Sequence, residues 1–184
     1  MKNVFPFFLI LLVSCGADYK FEDKVQIQNV NDLSEVKAHK QTNPVFHEYV
    51  DQLEAEIAQE TGLEVDLSYI PVNFGDIRKE NNRHIGVCRK WKNKQGQIVK
   101  REILIDEAYW SRASDADKEI LINHEFGHCH FDRSHDNCVH KGIARSIMNK
   151  THIGDEHYNT FQNSYIVELI TGNKEKITED IESL

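Results

Sequence analysis

Residues 117–128 read Asp117-Lys118-Glu119-Ile120-Leu121-Ile122-Asn123-His124-Glu125-Phe126-Gly127-His128, and the architecture follows from taking this stretch as one helix. Ser114 or Asp115 suits the N-cap, and acidic residues fill the first turn, where the helix dipole favours them. Ile120 and Leu121 stand four and three residues before His124, so this side of the helix is partly apolar and turned towards a core. Histidines four residues apart lie on one face, one turn apart, where both imidazoles can reach a single zinc ion. A catalytic zinc site draws about three ligands from protein and leaves one position to water. Glu125, beside the first histidine, is placed to accept a proton from that water. The blander alternative is a helix with two surface histidines paired to Glu125. The apolar surroundings weigh against it, because polar groups there need partners and a metal ion provides one.

The helix is expected to end near Phe131, with Asp132-Arg133-Ser134 turning the chain towards His135. His135 is the nearest imidazole on a segment able to fold back. His130, two residues after His128, points to another face, and Asp132 sits too close to the helix end. Taken together with Ser146-Ile147-Met148-Asn149, the stretch resembles the metzincin metallopeptidases, whose motif is HExxHxxGxxH followed by a methionine-containing turn. His124, Glu125 and His128 match residue by residue, and Ser146 to Asn149 looks like the Met-turn. Two departures are explicit. Phe131 stands where the family has Gly, and the third histidine falls at His135, one residue late, with Ser134 in the usual place. Without the glycine the loop must turn differently.

The resemblance implies an α+β fold. An N-terminal helix and a small mixed twisted sheet would pack on the zinc-binding helix, with a C-terminal helix after the Met-turn. It implies a zinc-dependent endopeptidase in which His124, His128 and His135 hold Zn2+. Glu125 would act as general base on the zinc-bound water, and Met148 would form the hydrophobic floor of the site. The substrate would be a peptide or protein, and an edge strand could pair with it in extended form. An alternative remains open: a thermolysin-like peptidase would take Glu156 as the downstream ligand and leave Met148 as plain core.

The chain begins with Lys2 and an apolar run from Val4 to Val13, too short to span a membrane as a stable helix, and Leu12-Val13-Ser14-Cys15 resembles a lipobox. Residues 1–15 therefore read as a lipoprotein signal with Cys15 lipidated. With Gly16 after the cysteine, the resemblance implies a bacterial cell-envelope protein held at the outer membrane. A non-catalytic, zinc-binding surface lipoprotein is thus a second alternative, but capture alone needs no carboxylate beside His124. The formal net charge of −8 disfavours nucleic acid as a partner. Residues 16–43 read as a flexible tether, with Val25 to Val30 able to form a short edge strand. Residues 44–172 form one domain, expected as a monomer, and residues 173–184 a charged, frayed tail.

Within the domain, Pro44 opens a helix whose apolar residues, Val45 to Ala58, recur at three- and four-residue spacing before Thr61-Gly62. Strands are expected at Val65–Ile70, Ile85–Cys88 into Trp91, Gln97–Val99 and Glu102–Asp106, with a hairpin loop over Asn93 to Gly96. Tyr109 and Trp110 read as core aromatics, His47 as a packing or surface residue, and His152 and His157 as surface residues. A helix from about Glu156 to Ile170 is capped by Gly172. An exported chain favours a disulfide. Cys129 faces away from the two zinc-binding histidines, towards a strand-borne Cys88, and Cys129–Cys138 is the other candidate pair.

Overall fold

The computed structural model describes residues 25–77, 84–150 and 153–184. The expected signal segment, Cys15 and His152 lie outside these residues. Asn43 accepts the Val45 N–H and Pro44–Phe46 forms a single 3-10 turn, which leads into α1 (His47–Thr61). Gly62 ends the helix at φ 71°, a left-handed position that only glycine takes freely. Val50, Leu53 and Ile57 form its buried stripe.

The expected strand over Val65–Ile70 does not form. Asp66 accepts hydrogen bonds from the N–H and hydroxyl of Ser68, and Ile70 N–H returns to the Leu67 carbonyl, so the segment folds into a turn. Its Leu67 and Ile70 are still buried. The strand starts after Pro71 instead, as β2 (Val72–Phe74). With β1 (Gln26–Asn29), β3 (Gly86–Lys92) and β4 (Ile98–Ile105) it makes a four-stranded sheet in the order β1-β3-β4-β2. β3 and β4 are antiparallel, and both outer strands are parallel to their neighbours, which gives the expected small mixed sheet. Asn93 and Gly96 (φ 77°) close the β3–β4 hairpin. The described part of the expected tether, residues 25–43, is docked along the domain. β1 pairs with β3, the His39 N–H donates to Glu102, and the Asn43 N–H donates to the Val72 carbonyl.

After a short helix α2 (Glu107–Trp110), Ser114 and Asp117 form a reciprocal capping box at the start of α3 (Asp115–Cys129). Phe46, Tyr49 and Phe74 surround Trp110 edge-on, the core role expected of that residue. α3 lies across β3 and β4, and Gly86, Cys88 and Lys90, alternate residues of β3, meet it in step. A Cβ at Gly86 would overlap the Glu125 carboxylate. Cys88 is disulfide-bonded to Cys129, and the Lys90 ammonium bonds Asp132, just beyond the helix, at 2.5 Å. Two strand residues rise about 6.6 Å and four helix residues about 6 Å, so the two elements stay in register over this length.

Two short strands, β5 (Val139–His140) and β6 (Ile143–Ala144), form a hairpin before the loop to α4 (Asp155–Thr171). The tail expected to fray is instead α5 (Glu175–Glu182). Ile177 and Ile181, one helical turn apart, are completely buried beside α4, and burying two isoleucines outweighs the tail's charge. Arg145 donates to Thr178 and Lys174 pairs with Asp136, tying this helix to the loops around His135. Among the described residues, no helix is long and apolar enough to cross a membrane.

The Cys88–Cys129 bond closes a separation of 41 residues, for which chain entropy predicts a stabilisation of about 3–4 kcal/mol. A Cys88→Ala/Cys129→Ala double variant should therefore unfold at clearly lower urea concentration than the parent, and the parent should move towards it under a reducing agent. Coincident midpoints for parent, reduced parent and double variant would remove the disulfide from any stabilising role.

Candidate metal centre

His124, Glu125 and His128 occupy the last two turns of α3 and are all at most 4% exposed. The His124 Nδ1 lies 2.8 Å from the Ile147 carbonyl, and the His128 Nδ1 lies 2.7 Å from the Arg133 carbonyl. A carbonyl can only accept, so each Nδ1 carries the proton and each Nε2 is left as the lone-pair nitrogen. His135 closes the group, its Nε2 3.0 Å from that of His128. Potential ligand atoms of all three histidines fall within 4.8 Å of one another. Two nitrogens bound about 2.0–2.1 Å from one tetrahedral ion would stand about 3.3 Å apart. The donor set and its spacing therefore fit a metal ion, with two of the three imidazoles already oriented by backbone carbonyls.

The other candidates are placed elsewhere. Ser134 is exposed, and Glu156 is exposed in the first turn of α4. The Asp132 side chain pairs with Lys90 and Arg101. Burial alone would push its carboxyl up, but the Lys90 hydrogen bond and the two cations outweigh burial and hold it below the usual range. His130 turns to Tyr69, with Nδ1 2.9 Å from the phenol oxygen. Burial, then the Arg101 charge, lowers its pKa. His47 and His157 are exposed, and His140 lies 3.4 Å from Glu182.

The loop carrying His135 turns at Asp132, which adopts φ 53°. Asp tolerates this left-handed conformation better than most residues. The Arg133 N–H then closes back on the Gly127 carbonyl at 2.9 Å, and the Asp136 N–H donates to the Met148 carbonyl at 2.9 Å. Met148 is fully buried below α3. A Cβ at Gly127 would overlap its sulfur and crowd Leu169, so the glycine of the pentapeptide gives the methionine its place. Nothing in the sequence singled out Gly86 or Gly127, since each needs a three-dimensional neighbour to be seen.

With this geometry in view, residues 74–159 match the family model described as "Putative phage metallopeptidase". Over that span the chain is similar to that family. The matched segment contains β3 to β6, α2, α3 and all three clustered histidines. No curated protein and no solved structure matches the chain.

Gly127→Ala should destabilise the protein by about 1–3 kcal/mol, because the added methyl overpacks a filled site. Urea denaturation of the metal-free variant measures this. An unchanged midpoint would mean that Met148 can move aside at no cost.

Proposed function

We propose that the protein is a zinc-dependent endopeptidase whose metal is held by His124, His128 and His135 and whose general base is Glu125. The convergence of three imidazoles within 4.8 Å, two from a buried helix end and one from the loop that follows it, carries this reading, and the metallopeptidase family match supports it. Zinc at such a centre supplies Lewis acidity, polarising the scissile carbonyl and lowering the pKa of water. The protein's own part is positional and acid–base. The three histidines bind as neutral ligands, leaving the ion its full charge. Glu125 takes the proton of the attacking water and passes it to the leaving amine. Its carboxylate occupies the space a Cβ at Gly86 would fill, so any larger residue there would displace it. A pure metal-capture role would have no use for this arrangement. We further propose that Cys15 anchors the chain to the outer membrane, so that hydrolysis takes place in the cell envelope.

Glu125→Gln should retain zinc while lowering turnover on a generic peptide by about 10²–10⁴-fold. Gly86→Ala should act in the same direction with zinc affinity kept, because it disturbs the carboxylate and no ligand. His135→Ala should lose zinc affinity sharply, whereas Ser134→Ala and Glu156→Gln should bind like the parent. Metal titration combined with a peptide-cleavage assay separates these outcomes. A Glu125→Gln variant as active as the parent removes the base assignment, and a sharp loss in Glu156→Gln with none in His135→Ala moves the third ligand to α4.

For the anchor, Cys15→Ala should shift the protein from the membrane fraction to the soluble one. Persistent membrane retention of that variant would reject the lipid attachment.

A further inference from the structure

Glu168 sits in the last turn of α4, completely buried, among Tyr165, Leu169 and the two loops that follow α3. One carboxylate oxygen accepts from Arg133 Nη2 at 2.5 Å and from the Ser146 hydroxyl at 2.9 Å. The other accepts from the Ile147 N–H at 3.3 Å. Arg133 Nη1 donates in addition to the backbone carbonyls of Glu168 and Leu169 at 2.6 and 2.8 Å. These are last-turn carbonyls of α4, where a cation suits the helix dipole. The Ser146 hydroxyl in turn accepts the Met148 N–H at 3.0 Å.

Two of the three residues tied to the Glu168 carboxylate are the ones whose carbonyls orient the helix histidines. Ile147 gives its N–H to Glu168 and its carbonyl to His124. Arg133 gives its guanidinium to Glu168 and its carbonyl to His128. The loop that leaves Arg133 reaches His135 two residues later. We infer that Glu168 is a positioning residue of the metal centre, setting through Ile147 and Arg133 the orientation of His124 and His128 and the approach of His135.

The chemistry requires a carboxylate at this point. Three donors converge on it, and two acceptor oxygens take them all. An amide offers one oxygen and an NH2, so a glutamine turned to satisfy Arg133 and Ser146 would aim its NH2 at the Ile147 N–H. Loss of such an outer partner weakens metal binding by about 10–100-fold in comparable sites. The inference rests on the metal-site reading above, and its test separates the two.

Affinities for Co2+ and Zn2+ are measured on the full protein by competition with a chromophoric chelator. They are read with the visible Co2+ absorption and the melting temperature of the metal-free protein. Glu168→Gln should bind both ions about 10–100-fold more weakly than the parent, with an altered Co2+ spectrum in the folded protein. A role confined to holding the fold would lower the melting temperature and leave the spectrum alone. Should Glu168→Gln fail to fold, Arg133→Lys and Arg133→Gln decide: the lysine, which keeps the charge, should bind metal more tightly than the glutamine. A folded Glu168→Gln with parental affinity and spectrum, or equal affinities in the two Arg133 variants, overturns the inference. A parent protein that takes up neither ion overturns the metal-site reading itself, and this role with it.

Discussion

One face of β3 dictates where the working end of α3 lies. Gly86, Cys88 and Lys90 are successive residues on that face, and they meet Glu125, Cys129 and Asp132 in the same order. The match is possible because two residues of strand and four of helix advance by nearly the same length. The covalent bond stands in the middle of the series, so it fixes the register on both sides. A slip of one strand residue would turn Val87 to the helix and bury the charge of Lys90 against the wrong face. Gly86 then follows as a steric necessity, because the carboxylate of Glu125 occupies the space a side chain would need. At the other end, Lys90 holds Asp132 in place where the chain leaves the helix.

The register places the two helix histidines but does not orient them. An imidazole on a helix can still rotate, and only a partner outside the helix holds its ring. Here the partners are two carbonyls from two loops, those of Ile147 and Arg133. Loops do not hold half-ångström tolerances unless they are themselves pinned. An ion pair between a partly buried arginine and a fully buried glutamate, normally weak evidence for stability, makes sense in that light: its bonds run to the loops and to the end of α4 together. Met148 serves the same region from below, packed into the space left by Gly127.

Legibility in the sequence followed the range of the interaction. Helix periodicity and capping are local, so α1, α3 and the Gly172 cap of α4 could be read directly, as could the spacing of His124 and His128. Of the two pairings open to Cys129, the face it occupies on α3 favoured Cys88, which is the partner found. The strand expected at Val65–Ile70 failed because Asp66 and Ser68 offer the backbone a turn that alternation does not reveal. The terminal charges hid Ile177 and Ile181, whose four-residue spacing was the available signal for α5. Glu168 carried a signal too, a charge among the apolar residues Phe161, Tyr165 and Leu169 of one helix. Only its partners, 21 to 35 residues away, show what it holds.

The displaced third histidine has a local explanation. In the motif HExxHxxGxxH the glycine is the residue suited to a left-handed turn, and the last histidine follows it by three. Here Phe131 cannot take that conformation cheaply, and the left-handed residue is Asp132, one place later. His135 again follows it by three. The extra residue lies before the turn and is absorbed where the Arg133 N–H closes on Gly127, a wider closure than the usual helix end. The position of the third imidazole is therefore counted from the turn and not from the helix. That is why Ser134, at the expected distance from His128, is exposed, while His135 joins the other two.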